Sequence, residues 1–130
     1  MYFQGIMSYF NRRMHRREHR EMIRKWRDDG GDQRFRFDYK LGRHSLVMDL
    51  GGYQGQWASD LYSRYRCRIL IFEPISSFSS QIAGRFRENE DIQVFTCGLG
   101  ATSRTETIYL HGAGSSTFRK RSHAENIQIT

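Results

Sequence analysis

The spacing of hydrophobic and polar positions changes several times along the chain, and each change marks an element. From Tyr9 to Asp28, the residues Phe10, Met14, Met22 and Trp26 fall at multiples of four with Ile23 beside them, and Arg and His fill the other positions. That stripe predicts an amphipathic helix, ended by Gly30-Gly31, with Glu21 and Lys25 placed for a favourable i,i+4 pair. Arg34 to Tyr39 then alternates basic and aromatic residues, which predicts a half-buried edge strand. After Gly42 the pattern turns to short apolar runs. Leu46 to Leu50, Arg68 to Phe72 and Ile92 to Thr96 read as buried parallel strands. Between them Trp57, Leu61 and Tyr65, and then Phe78, Ile82 and Phe86, keep helical spacing, with Ser76 or Ser77 available as a helix cap. The order β-α-β-α-β predicts an α/β fold with right-handed crossovers. Thr105 to Leu110 and Ile127 to Ile129 read as further strands, separated by the turn at Gly112-Ala113-Gly114.

Composition fits one small globular domain: 130 residues, 38% hydrophobic and 27% charged. No apolar run approaches the roughly 20 residues that span a bilayer, and the start lacks a secretory pattern, so a cytoplasmic location is expected. Tyr2-Phe3-Gln4-Gly5 reads as the remnant of an expression tag, which sets residues 1–5 apart. Residues 6–45 form a basic amphipathic helix and edge strand, and residues 46–130 the α/β part. Cys67 and Cys97 supply neither a disulfide framework nor a metal set and read as reduced core thiols.

The net charge of +7 is uneven, with 12 Lys+Arg against 6 Asp+Glu up to Ser45 and 9 against 8 beyond it. Arg12, Arg13, Arg16, Arg17, Arg20, Arg24 and Lys25 can contact phosphates of nucleic acid or an anionic membrane, or can simply be a solvated face. Aromatics of Phe35 to Tyr39 can add stacking, and the apolar stripe can serve a homo-oligomer interface. His15 and His19 sit i,i+4 with no third ligand near, which favours a solvated face over a metal site. No nucleophile motif points to a hydrolase.

Ligands of open α/β sheets bind outside the carboxyl ends of the strands, which here are Asp49 to Gly55, Glu73 and Gly98 to Ala101. Glycine lets a backbone turn sharply and approach a ligand. A carboxylate closing the second strand can accept both hydroxyls of a ribose, and Glu73 follows Asp49 by 24 residues. Together they suggest an adenosine-bearing cofactor. Gly51, Gly52 and Gly55 do not fit the G-x-G-x-x-G register of a dinucleotide, and no phosphate-binding loop is present. Plainer readings stand beside these: a tight strand-to-helix turn for Gly51-Gly52, a carboxylate at a helix N-terminus for Glu73 and equally for Asp49, and a polar turn for Ser115-Ser116.

The segment Asp49-Leu50-Gly51-Gly52-Tyr53-Gln54-Gly55 resembles the first motif of S-adenosylmethionine-dependent methyltransferases of the Rossmann-like class. With Phe72-Glu73-Pro74, Phe78, Gly98-Leu99-Gly100 and Ser115-Ser116, the resemblance narrows to the FkbM family over roughly residues 45 to 118. Family members usually carry Ala-Asn at the Gly52-Tyr53 position and Ala at Gly98. The resemblance implies a class I methyltransferase fold and S-adenosylmethionine as cofactor. Asp49 and the Gly51, Gly52 and Gly55 backbone would hold its methionine end, Glu73 its ribose, and Leu99 would lie near the adenine. It also implies O-methylation of a sugar, polysaccharide or polyketide hydroxyl. Such folds have about seven strands, and the family's Lys-Ile-Asp-x-Glu-Gly type motif has no counterpart before Thr130. The expectation is therefore a cofactor-binding half, truncated after the third core strand and a hairpin, whose exposed sheet edge invites a second copy.

Overall fold

The structure is a computed structural model that describes residues 17–32, 34–112, 114–118, 120 and 122–130. The chain divides into two compact units, Met1–Lys40 and Leu41–Thr130.

In the first unit, helix α1 is described over residues 17–28. Phe10, Met14, His15 and the Arg12, Arg13 and Arg16 cluster lie outside the described residues, as do residues 1–5. Arg17 pairs with Glu21 at 3.2 Å on its exposed surface. The apolar stripe stands open, with Met22 65% and Trp26 41% exposed. Trp26 lies over Gly31, where a Cβ would sit 2.2 Å from the indole, and its ring is 5.8 Å from that of Phe35. The expected edge strand over Arg34 to Tyr39 does not form. A single 3-10 turn, Phe35–Phe37, takes its place, held by amides of Arg34, Arg36 and Phe37 that donate to carbonyls of Gly30, Gly31 and Arg34. Alternation of side chains makes a strand only where a neighbour receives the backbone groups, and here the local turn satisfies them first.

The second unit is mixed α/β. Strands β1 (Leu46–Leu50), β2 (Arg68–Phe72) and β3 (Ile92–Phe95) form a parallel sheet in the order β1-β2-β3, joined by helices α2 (Gln56–Tyr65) and α3 (Ser76–Arg85). Both crossovers step the same way across the sheet, so right-handed connections put both helices on one face. The core lies there: Ile69, Ile71, Leu61, Ala58 and Ile82 are fully buried between strands and helices.

The other face differs from the buried strands expected. Leu46, Met48 and Leu50 are 54%, 52% and 65% exposed, and Phe95 is 39% exposed, its ring stacked on Phe72 at 5.0 Å. A short strand with hydrophobic residues on both faces hides which alternate residues a covering layer reaches. The bond from Arg68 N to Ser45 O and that from Gly51 N to Phe72 O put the odd-numbered residues of β1 toward β2. Leu46, Met48 and Leu50 therefore aim their amides and carbonyls at the outer edge, where no described strand pairs.

Strands β4 (Arg104–Tyr109) and β5 (Ala124–Ile129) form an antiparallel pair. Ile108, Ile127 and Ile129 of this hairpin bury against Ile75, with Phe78 and Leu110 packed around them. Its end is tied to the segment after β3: Gly98 N donates to Gln128 O at 2.8 Å and Thr130 N donates to Gly98 O at 2.9 Å. A Cβ on Gly98 would lie 2.8 Å from Ile129 Cδ1 and one on Gly100 2.6 Å from Ile129 Cγ2. These two glycines admit β5, which is why the hairpin reaches the carboxyl end of the sheet. No helix among the described residues is long and apolar enough to cross a membrane.

Candidate functional site

At the carboxyl ends of β1 and β2 the chain leaves the sheet through Gly51-Gly52-Tyr53 and through Glu73-Pro74. Gly51 (φ 91°) and Gly55 (φ 73°) take left-handed conformations that an L side chain rarely adopts, and Gly55 leads directly into α2. Gly52 is required for packing: a Cβ there would fall 2.4 Å from Ile71 Cγ2 and 3.1 Å from Ile82 Cδ1. Gly55 faces Phe86 and Ile82 in the same way, at 3.1 and 3.3 Å. The glycine-rich loop is thus seated directly on β2 and α3.

Glu73 is the polar centre of the region. It is 4% exposed. One carboxylate oxygen, Oε2, accepts the Tyr53 amide at 2.8 Å, and the other, Oε1, accepts the Ile75 amide at 2.9 Å. Glu73 therefore ties the first loop to the start of α3. The expected Ser76 or Ser77 cap is not used: Ile75 holds the N-cap position, and the Ser76 amide donates to Glu125 Oε1 at 3.1 Å. Two carboxylates serve where a serine hydroxyl was expected, because negative charge suits the positive end of a helix.

Around Glu73 lies a cleft of about 130 Å³, bounded by Gly51 and Tyr53 on the loop side, Pro74, Ile75 and Phe78 on the α3 side, and Ile108, Gly112 and Ser115 on the hairpin side. Tyr53 crosses it. The Tyr53 ring meets Phe78 edge-on at 4.7 Å and 77°, and its hydroxyl is 3.5 Å from where a Cβ of Gly112 would be. Ser115 Oγ donates to Gly112 O and accepts the His111 amide, both at 2.8 Å, which shapes the turn that closes the hairpin side.

Of the expected cofactor positions, Gly51 and Glu73 line this cleft. Gly52 and Gly55 support it through packing, and Asp49 is half-buried beneath the loop, its Oδ2 3.7 Å from the Gly52 Cβ position. Leu99 is not brought to it. That residue is 42% exposed and lines a second, larger cleft of about 640 Å³ with Arg104, Glu106, Tyr109 and Phe118. The turn glycines at 98 and 100, on either side of Leu99, are spent on contact with Ile129. Tyr53, Ile75 and Ile108 were missed as lining residues. Tyr53 carried a signal in its place directly after the Gly51-Gly52 pair, whereas Ile108 comes from a hairpin whose docking no local pattern announces.

The chemistry available follows from these groups. Each Glu73 oxygen keeps a lone pair beyond its amide bond, so the carboxylate can still accept ligand hydroxyls. Two carboxylates already occupy the α3 N-terminus, and an anionic phosphate is thereby disfavoured there. Among the described residues no group of three His, Cys, Asp or Glu side chains could hold a metal ion. Burial pushes the Cys67 thiol up, and the bond to Asp91 raises Tyr62. Comparison of the chain with protein-family models, with curated proteins and with solved structures returns no match.

Proposed function

We propose that residues 46–130 form the cofactor corner of a Rossmann-like class I methyltransferase fold and bind S-adenosylmethionine. The observation that carries this reading is Glu73: a buried carboxylate closing a parallel strand, on a cleft beside a left-handed glycine, at the ligand-binding end of the sheet. The donor set suits that group. Glu73 would take the ribose hydroxyls, and the Gly51 backbone would lie against the methionine end. The cofactor carries no phosphate and a positive sulfonium, which agrees with a site that has carboxylates and no anion cradle. Bound, it supplies an activated methyl group, and transfer to a hydroxyl needs chiefly positioning. The acceptor we propose, a sugar, polysaccharide or polyketide hydroxyl, rests on the FkbM resemblance of Phe72-Glu73-Pro74 alone.

The rival reading is a polyanion-binding module acting through α1, and Arg12, Arg13 and Arg16 of its basic cluster lie outside the described residues. Residues 17–29 place Arg17, Arg20, Arg24, Lys25 and Arg27 among Glu18, Glu21, Asp28 and Asp29, a nearly neutral set. Titration calorimetry with S-adenosylmethionine, S-adenosylhomocysteine and NAD tests the proposal. Binding of the first two without NAD is expected; heat from NAD alone would refute it.

A further inference from the structure

We propose that Tyr53 is a displaceable wall of the Glu73 cleft, and that a purine nucleoside ligand enters by turning this ring out and stacking on Phe78. The inference rests on the adenosine reading of the cleft. Its starting point is a mismatch of size: about 130 Å³ is available, whereas small-molecule sites begin at roughly 300 Å³. Enclosing a nucleoside beside Glu73 therefore needs a wall to move. Ile75 and Ile108 belong to the buried cluster beneath the hairpin, Phe78 packs against that cluster, and Glu73 is buried and doubly bonded. Those walls are fixed by the fold.

Tyr53 is fixed differently. Its backbone stands at φ 49°, a left-handed conformation that is strained for an aromatic residue, and the bond from its amide to Glu73 holds it there. Its half-buried ring is held by the edge contact with Phe78 and by its approach to Gly112. Backbone and ring are anchored separately, so rotation about χ1 can free the ring without breaking the amide bond to Glu73. Departure of the ring leaves the Phe78 ring open on that side of the ribose acceptor, an aromatic surface suited to a base.

Closing the cleft in this way lowers apparent affinity by the fraction of open molecules. An edge-on aromatic pair of ordinary strength corresponds to about a 2- to 10-fold effect. The test compares S-adenosylhomocysteine binding by wild type, Tyr53→Asn and Tyr53→Phe. Asparagine tolerates the left-handed backbone and keeps the amide to Glu73, so that variant is expected to fold and to bind about 2- to 10-fold tighter, chiefly through faster association. Tyr53→Phe keeps the ring and should match wild type. Equal or weaker binding by Tyr53→Asn overturns the wall and leaves the cofactor reading intact; no binding by any of the three overturns both. In the wild-type chain, ligand should move the Tyr53 ring resonances away from the positions set by Phe78. Ring resonances unchanged at saturation overturn the proposal whatever the variants do.

Discussion

Replacing Glu73 by glutamine preserves the length of the side chain and removes one of its two acceptors. In the native chain, Oε2 and Oε1 receive the Tyr53 and Ile75 amides at 2.8 and 2.9 Å in a site where Glu73 is 4% exposed. The amide of glutamine can answer one of those donors with its oxygen and must turn its NH2 toward the other. A buried hydrogen bond to a charged group contributes about 1.5–3 kcal/mol, and an orphaned donor adds its desolvation cost. The expected loss is therefore about 2–3 kcal/mol. For a unit the size of residues 41–130, each kcal/mol moves Tm by about 4–8 °C, so the midpoint should fall by roughly 10–20 °C. Thermal unfolding followed by circular dichroism at pH 7, without ligand, measures this. Glu73→Ala, which answers neither amide, should fall further. A glutamine variant melting with wild type would refute the structural role assigned to this carboxylate, and with it the geometry of the cleft.

Gly52→Ala should destabilise the second unit by about 1–3 kcal/mol through overpacking, since its Cβ would fall 2.4 Å from Ile71 Cγ2; urea denaturation reads the change, and an unaltered midpoint would speak against the seating of the loop. Burial raises the Cys67 thiol above its ordinary 9.0, so on the alkaline side the native chain holds a proton that the unfolded chain has lost. Stability should therefore fall as pH climbs past about 9 and be insensitive to this group below that. The fall should be smaller in Cys67→Ala, while an identical fall would exclude the thiol as a cause; the Tyr62 hydroxyl, raised by its bond to Asp91, adds a slope of the same sign.

Elements with a sustained hydrophobic pattern were legible in the sequence. Val47 and Asp49 sit in parallel register with Ile69 and Ile71, on the face covered by the helices that the spacing of Leu61 and Ile82 announced. The glycine loop and Glu73 were legible because both stand at strand ends, where the fold class dictates what to examine. What escaped depended on contacts distant in sequence. The alternation Phe35-Arg36-Phe37 has the period of a strand, yet without a neighbour it turned on itself beside Trp26. Leu99 follows the third strand as a cofactor residue would, and it lines the second cleft beside Ile129 of a hairpin ending about 30 residues later. The plain reading of Glu73 as a helix-end carboxylate is realised in its bond to the Ile75 amide, and its place on the cleft keeps the ligand reading alongside.

The central claim, that the Glu73 cleft takes an adenosine-bearing cofactor, is tested most directly by mapping backbone amide resonances during titration with S-adenosylhomocysteine. Saturable shifts are expected at Gly51, Tyr53, Ile75 and Ser115, around one carboxylate. Shifts confined to residues 17–28, or no shifts at millimolar ligand, would contradict it.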